Sequence, residues 1–195
     1  MAETSTVESS ARPRGREAAR RALIEAAADL LAERGEVSVR TIAARAGVNH
    51  GLVHHYFGGK QGLQAAVLDH LAAEQARLLE AVDGADPIVL AQAAMRVAAD
   101  DRRFFRVLAR ALLDGDVPAP MQSAYPVVQR MIATFEARGV EAARARVAEG
   151  IAVALGWMLF RPWIVAATGL PDADADALLD TVVATHTEGL LPPTD

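Results

Sequence analysis

Three of the five histidines of this chain, His50, His54 and His55, crowd into one short stretch that ends at the only lysine, Lys60. No carboxylate occurs between Glu36 and Asp69, and the same interval holds Arg40 and Arg45. Such a run attracts a polyanion and offers it no local repulsion. Other chemistry is open to it: His50 and His54 stand one helical turn apart, which is a metal-ligand spacing, and a small basic stretch is often a solvated face. Catalysis has fewer footholds. The chain has no cysteine, which removes thiol nucleophiles, disulfides and cysteine-based metal centres together. Neither a glycine-rich nucleotide loop nor a serine elbow is visible. The carboxylates fall mostly on polar faces or helix caps, so the sequence reads as non-enzymatic, with no cofactor and no resident metal.

Charge places this run at the basic end of an acidic chain. Of 195 residues, 20 are Lys or Arg and 25 Asp or Glu, a formal charge of −5. Residues 12–60 hold nine basic against five acidic side chains, a local +4, while residues 61–195 hold eleven against eighteen, a local −7. About a fifth of the chain is alanine, which favours helix before any pattern is read. The polar, acidic start from Met1 to Ala11 lacks the basic-then-apolar pattern of a secretory signal. The apolar stretch from Gly150 to Phe160 meets Arg161 and Pro162, short of the ~20 residues a membrane span needs. A cytoplasmic protein with no membrane contact is the expectation.

Periodicity supplies the elements that must hold the histidines. Ala19, Ala22, Leu23, Ala26, Ala27, Leu30 and Leu31 mark one face of a first helix, closed by Gly35. Ser38 can cap a second, whose inner face is Val39, Ile42, Ala43 and Ala46, with Gly47 as its stop. Asn49 can cap a third, with Val48 and Val53 placed as a hydrophobic staple. Two short helices joined by a glycine turn and packed on a longer one form a helix-turn-helix. On a helical wheel Val53 and Phe57 point inward, Gly51, Leu52 and His55 outward, His54 and Tyr56 to the flanks, and His50 lies at the start. A face of Gly, Leu and His suits a major groove: the missing side chain admits the backbone, histidine bonds base edges or phosphate, and leucine meets a thymine methyl.

The segment Ser38 to Leu63, with Ile42-Ala43-x-x-Ala46-Gly47-Val48, then Gly51, an aliphatic residue, and Tyr56-Phe57-x-x-Lys60-x-x-Leu63, closely resembles the DNA-binding region of the TetR family of bacterial transcriptional regulators. With the first helix the resemblance covers about residues 16–68. It implies that Ser38, Arg40 and Thr41 touch the phosphate backbone, that His50, Gly51, Leu52 and His55, with Asn49 at the helix start, face base edges, and that His54, Tyr56 and Lys60 contact phosphate. His54 stands where the family commonly has Tyr, and Gly59 where it commonly has Ser or Asn. Arg12, Arg14, Arg16, Arg20 and Arg21 form an arm that can reach the neighbouring minor groove or stay solvated.

Beyond Lys60 the chain reads as further helices, from about Lys60 to Val82, from Asp86-Pro87, and from about Arg102 to Leu113, the last burying Phe104, Leu108 and Leu112. Another starts at Pro126 and ends at Gly139; a long one spans about Glu141 to Ala167, and a last one about Asp174 to Leu190. The long helix is apolar nearly all round, so one face needs a partner; the resemblance implies a homodimer through residues 148–167 and 176–190. Pro162 should kink or break it near Met158. Around that point gather Trp157, Met158, Phe160 and Trp163, with Met95, Phe104, Phe105, Met121, Tyr125, Met131 and Phe135 from other helices. In a TetR-like fold these are candidates to line an effector pocket; large residues at helical spacing are more often packed core. Arg106 and Arg110 read as surface charges, and Arg161 as a surface charge or an anchor for an anion.

The expectation is an all-α chain: a tail over 1–11, a helix-turn-helix unit over 12–60, and a helical effector-binding and dimerisation unit over 61–195. It would bind double-stranded DNA as a homodimer and leave it when a small, largely apolar effector binds. A helical adaptor of the same fold and a histidine-based metal sensor are the alternatives.

Overall fold

The computed structural model describes residues 15–34, 37–82, 86–115 and 120–172, together with 174, 175, 177, 178 and 181. Among these there are eight α-helices and no strand: α1 (Arg16–Glu33), α2 (Val39–Arg45), α3 (Gly51–Phe57), α4 (Lys60–Leu78), α5 (Pro87–Asp100), α6 (Arg103–Leu113), α7 (Pro126–Ala137) and α8 (Ala143–Thr168). The all-α expectation holds. Helical residues resume at Asp172, where the last helix was expected, but most of 176–190 lies outside the described residues. So do Gly35, Arg12 and Arg14.

The largest core gathers Leu23 and Ala27 of α1, Ile42 of α2, Val53 of α3 and Leu63, Val67 and Leu68 of α4, each at most 1% exposed. Val107 of α6 joins them, so one core runs from the helix-turn-helix unit across Lys60 into the body. Two smaller clusters lie further on: Met95, Ala98, Ala154 and Met158 between α5 and α8, and Phe135, Val140, Ala143 and Val147 between α7 and α8. Helix α6 turns differently from its expected face. Val107 and Ala111 are buried, Phe104 and Leu108 half-buried, and Leu112 is exposed. With Val107 and Ala111 meeting the core, Leu112 is carried about 100° off the buried line.

Three arginines tie helix ends together. Arg110, expected at the surface, donates from α6 to the carbonyls of Leu31 at 2.7 Å and Glu33 at 3.3 Å, capping the end of α1. Arg130 of α7 donates to Leu79 and Val82 just past α4. Arg102, before α6, donates to the carbonyl of Met158 at 2.6 Å. Arg110 and Arg102 each supply a donor to a carbonyl that its own helix leaves unpaired. For Met158 the cause is Pro162, which lacks the N–H that would bond four residues back. Helix α8 runs through Pro162 as one helix of 26 residues, so it does not break there. It is long and apolar enough, by length and composition, to cross a membrane, unlike the shorter run the sequence suggested. Arg161, beside that proline, has the Asp172 carboxylate 3.9 Å away.

Candidate functional site

The surface around α3 is built on caps. Ser38 Oγ accepts from the Thr41 backbone N–H at 3.1 Å and lies 2.8 Å from the Thr41 hydroxyl, which starts α2. Gly47 takes a left-handed φ of 67° in the turn, a conformation open to glycine at no steric cost. Asn49 Oδ1 then accepts from the Gly51 N–H at 2.8 Å, so Asn49 caps α3 with its carboxamide oxygen. Val53 is fully buried and Val48 packs partly against the same core, the staple expected from the sequence.

With α3 fixed this way, Asn49, His50, Gly51, His54 and His55 are exposed, as are Ser38, Arg40 and Thr41. A Cβ added at Gly51 would meet only the Asn49 Oδ1, at 3.2 Å, so the outer side of that position is open. Leu52 differs from its expected placement. It is half-buried and packs partly on the main core beside Val53. Tyr56 is half-buried too, with its ring 5.1 Å from that of His55. Lys60 is half-buried at the first position of α4, directly after Gly58 and Gly59, whose φ values of 72° and 132° make the sharp turn.

Three further residues shape this surface. Arg16 lies over the Tyr56 ring at 5.9 Å and Arg20 over the Phe57 ring at 5.4 Å, so α1 carries two cations against α3, where an extended arm was envisaged. Gly62 lets α4 meet the end of α3: a Cβ there would stand 1.8 Å from the Phe57 carbonyl oxygen. A glycine inside a helix is a costly choice and is the sequence signal of such an approach.

The body encloses a cavity of about 400 Å³ bounded by α4, α5, α6, the segment before α7, α7 and α8. Met95, Phe104, Phe105, Met121, Tyr125, Met131 and Phe135 line it, as the sequence suggested. Trp157, Met158, Phe160 and Trp163 do not. Met158 is packed on Met95 and Ala98, while Phe160 is 58% and Trp163 71% exposed. No residue near Pro162 lines the cavity, which uses earlier turns of α8, at Val147, Ile151 and Ala154.

On one side of the core a capped short helix presents histidines and an open glycine on a surface with arginines at its flanks; on the other lies a helical body. That is the build of a helix-turn-helix transcriptional regulator. The family model for bacterial regulatory proteins of the tetR family matches residues 23–67. Over 170 residues the chain is 42% identical to the HTH-type transcriptional repressor Rv3405c of Mycobacterium tuberculosis, covering 85% of this chain and 86% of that protein. It is 48% identical over 64 residues to the HTH-type transcriptional regulator BetI of Brucella canis, 32% of each chain. A solved transcriptional regulator from Rhodococcus sp. Rha1 superposes with a TM-score of 0.64 at 25% identity, covering 89% of this chain and 99% of that one. The chain belongs to the TetR family of bacterial regulators: it is a DNA-binding transcriptional regulator and not an enzyme.

Proposed function

We propose that this regulator is a cytoplasmic homodimeric repressor that holds a pseudo-palindromic operator and releases it when a small, largely apolar molecule enters the body cavity. Residues 12–60 read the DNA and 61–195 bind the effector and the second subunit, the two units sharing one core. His50, Gly51, Leu52 and His55 face base edges in the major groove, with Asn49 at the helix start. Ser38, Arg40, Thr41, His54, Tyr56 and Lys60 hold phosphate. The observation that carries this reading is the outer face of α3, where exposed His50, His54 and His55 flank an open Gly51 on a helix whose other side is anchored by Val53. Repression is supported by the name of the mycobacterial relative.

Dimerisation is supported by α8, which leaves Leu159, Phe160 and Trp163 exposed outside the cavity wall; most of the second segment of the expected bundle lies outside the described residues. A bridge between cavity and DNA is at hand in Arg103 of α6, which contacts Asp29 of α1 at 3.2 Å and Glu74 of α4 at 3.5 Å. A shift of α6 or α4 around a ligand therefore pulls on the reading unit. Turning a mostly bound population into a mostly free one takes a differential affinity of about 10⁴ between the two states. The test is selection of duplexes from a random pool, followed by footprinting. A protected pair of half-sites with centres about 34–36 Å apart is the expected result. An adaptor would enrich no sequence even at low salt, and a metal sensor would bind Zn²⁺ stoichiometrically through His50 and His54.

A further inference from the structure

Most of the cavity wall is alanine, methionine, phenylalanine and valine, and the polar side chains in it are Gln75, Gln122, Tyr125 and Arg146. Three of these are accounted for. Gln122 directs its Nε2 at the Ala124 carbonyl, 3.5 Å away, Arg146 is exposed and paired with Glu149 on its own helix at 3.1 Å, and Tyr125 is 43% exposed. Gln75, on the inner side of α4, differs. Its Nε2 is buried and has no hydrogen-bond partner among the described residues. The other such atom, Gln64 Oε1, belongs to a residue outside the lining. A buried donor left unpaired is destabilising, and an acceptor brought in by a bound molecule removes that penalty. A carboxylate would meet no free cation among the described residues of the wall, since Arg146 is engaged at the surface, and an unpaired charge is far costlier to bury than a neutral acceptor.

We infer that the cavity selects an uncharged, largely apolar molecule bearing a hydrogen-bond acceptor such as a ketone or ester carbonyl, and that Gln75 reads this acceptor. This rests on the effector reading above and adds to it the chemical class of the effector. Because α4 begins at Lys60 and carries Gln75 in its last turns, the residue that senses the acceptor sits on the helix that enters the DNA surface.

The test uses two probes of one shape, 2-propionylnaphthalene and 2-sec-butylnaphthalene, in which a methyl replaces the carbonyl oxygen. Both are titrated calorimetrically into the full-length protein and into its Gln75→Leu and Gln75→Met variants. The wild type is expected to bind the ketone about 5- to 10-fold more tightly than the hydrocarbon, the size of one net hydrogen bond. Both variants should lose that preference, weakening the ketone and leaving the hydrocarbon unchanged or tighter. Thermal melting shows whether each variant is folded, and Gln75→Met keeps the side-chain volume if Gln75→Leu is not. Equal affinities in the wild type, or parallel losses in the variants, overturn the inference, as does 2-naphthoate binding more tightly than the ketone. So does failure of both probes to bind the wild type. A gel shift with the selected operator on the same preparation then tells whether the DNA-binding reading stands apart from the ligand class.

Discussion

Gly51 separates holding the fold from reading DNA. Nothing but the Asn49 carboxamide lies near the position where its Cβ would stand, so Gly51→Leu is expected to cost no more than a weakened cap, about 1 kcal/mol or less. On the proposed reading the new side chain meets a base edge, and binding to the selected operator should fall by at least about tenfold, the scale of a lost groove contact. A melt beside a gel shift checks both; unchanged operator affinity would remove α3 from the groove. Lys60 is expected to behave differently. Lys60→Ala should weaken all duplexes nearly alike and lower the slope of log K against log salt by about 1, and a sequence-selective loss would show a base contact instead. The placement of both residues, Gly51 exposed on α3 and Lys60 at the start of α4, was legible in the sequence because its signal is identity at a fixed spacing. Leu52 was not fully so: a wheel treats a helix as isolated, whereas this one is wedged among neighbours that half cover that residue. The stacking of Arg16 and Arg20 on Tyr56 and Phe57 was hidden for the same reason, since it depends on how α1 crosses α3.

Between elements, long-range arginine contacts determine what periodicity could not. Arg102 meets Met158 across 56 residues, and Arg110 meets Leu31 across 79, so no local pattern announces either. The bond at Met158 has a specific test, because Pro162 is the reason its carbonyl is free. Arg102→Leu should cost about 1.5–3 kcal/mol, the range for a hydrogen bond from a charged donor. In a Pro162→Ala background the backbone N–H restored at that position can take over the carbonyl, and the same change should cost about 1 kcal/mol less. Equal costs in both backgrounds, read from denaturant melts, would detach the arginine from the proline. A second link is sensitive to acid. The Arg103 guanidinium bonds the Asp101 carboxylate at 2.7 and 2.9 Å and holds that carboxyl below its ordinary value of 3.8, with burial opposing. A lowered folded-state value means the contribution is complete above about pH 4 and is lost as pH falls through the folded value. More than a third of each side chain is exposed, so the loss should stay below about 1 kcal/mol. Asp101→Asn should flatten the stability profile between about pH 4 and pH 2 and leave it unchanged in shape above about pH 5.

At the scale of the molecule, α8 determines whether one subunit suffices. Among the described residues it leaves Leu159, Phe160 and Trp163 exposed and outside the cavity wall, while its first turns line the cavity. One helix thus carries both a face on the cavity and a bare apolar face. The sequence showed that α8 is apolar all round but could not say which face does which; assigning Trp163 and Phe160 to the cavity was the consequence. On the proposed function, exposed apolar surface of this kind points to a second copy of the chain. Phe160→Glu with Trp163→Glu places two charges on that face, far from the reading helix and away from the cavity wall. The double variant should sediment as a monomer with unchanged helical content. Its affinity for a full operator should drop by about 10² or more, because the second recognition helix no longer binds at the effective concentration set by the first. Affinity for an isolated half-site should not change. A variant that stays dimeric would place the subunit contact elsewhere, and one that is monomeric yet binds the full operator as before would show that a single α3 carries the recognition.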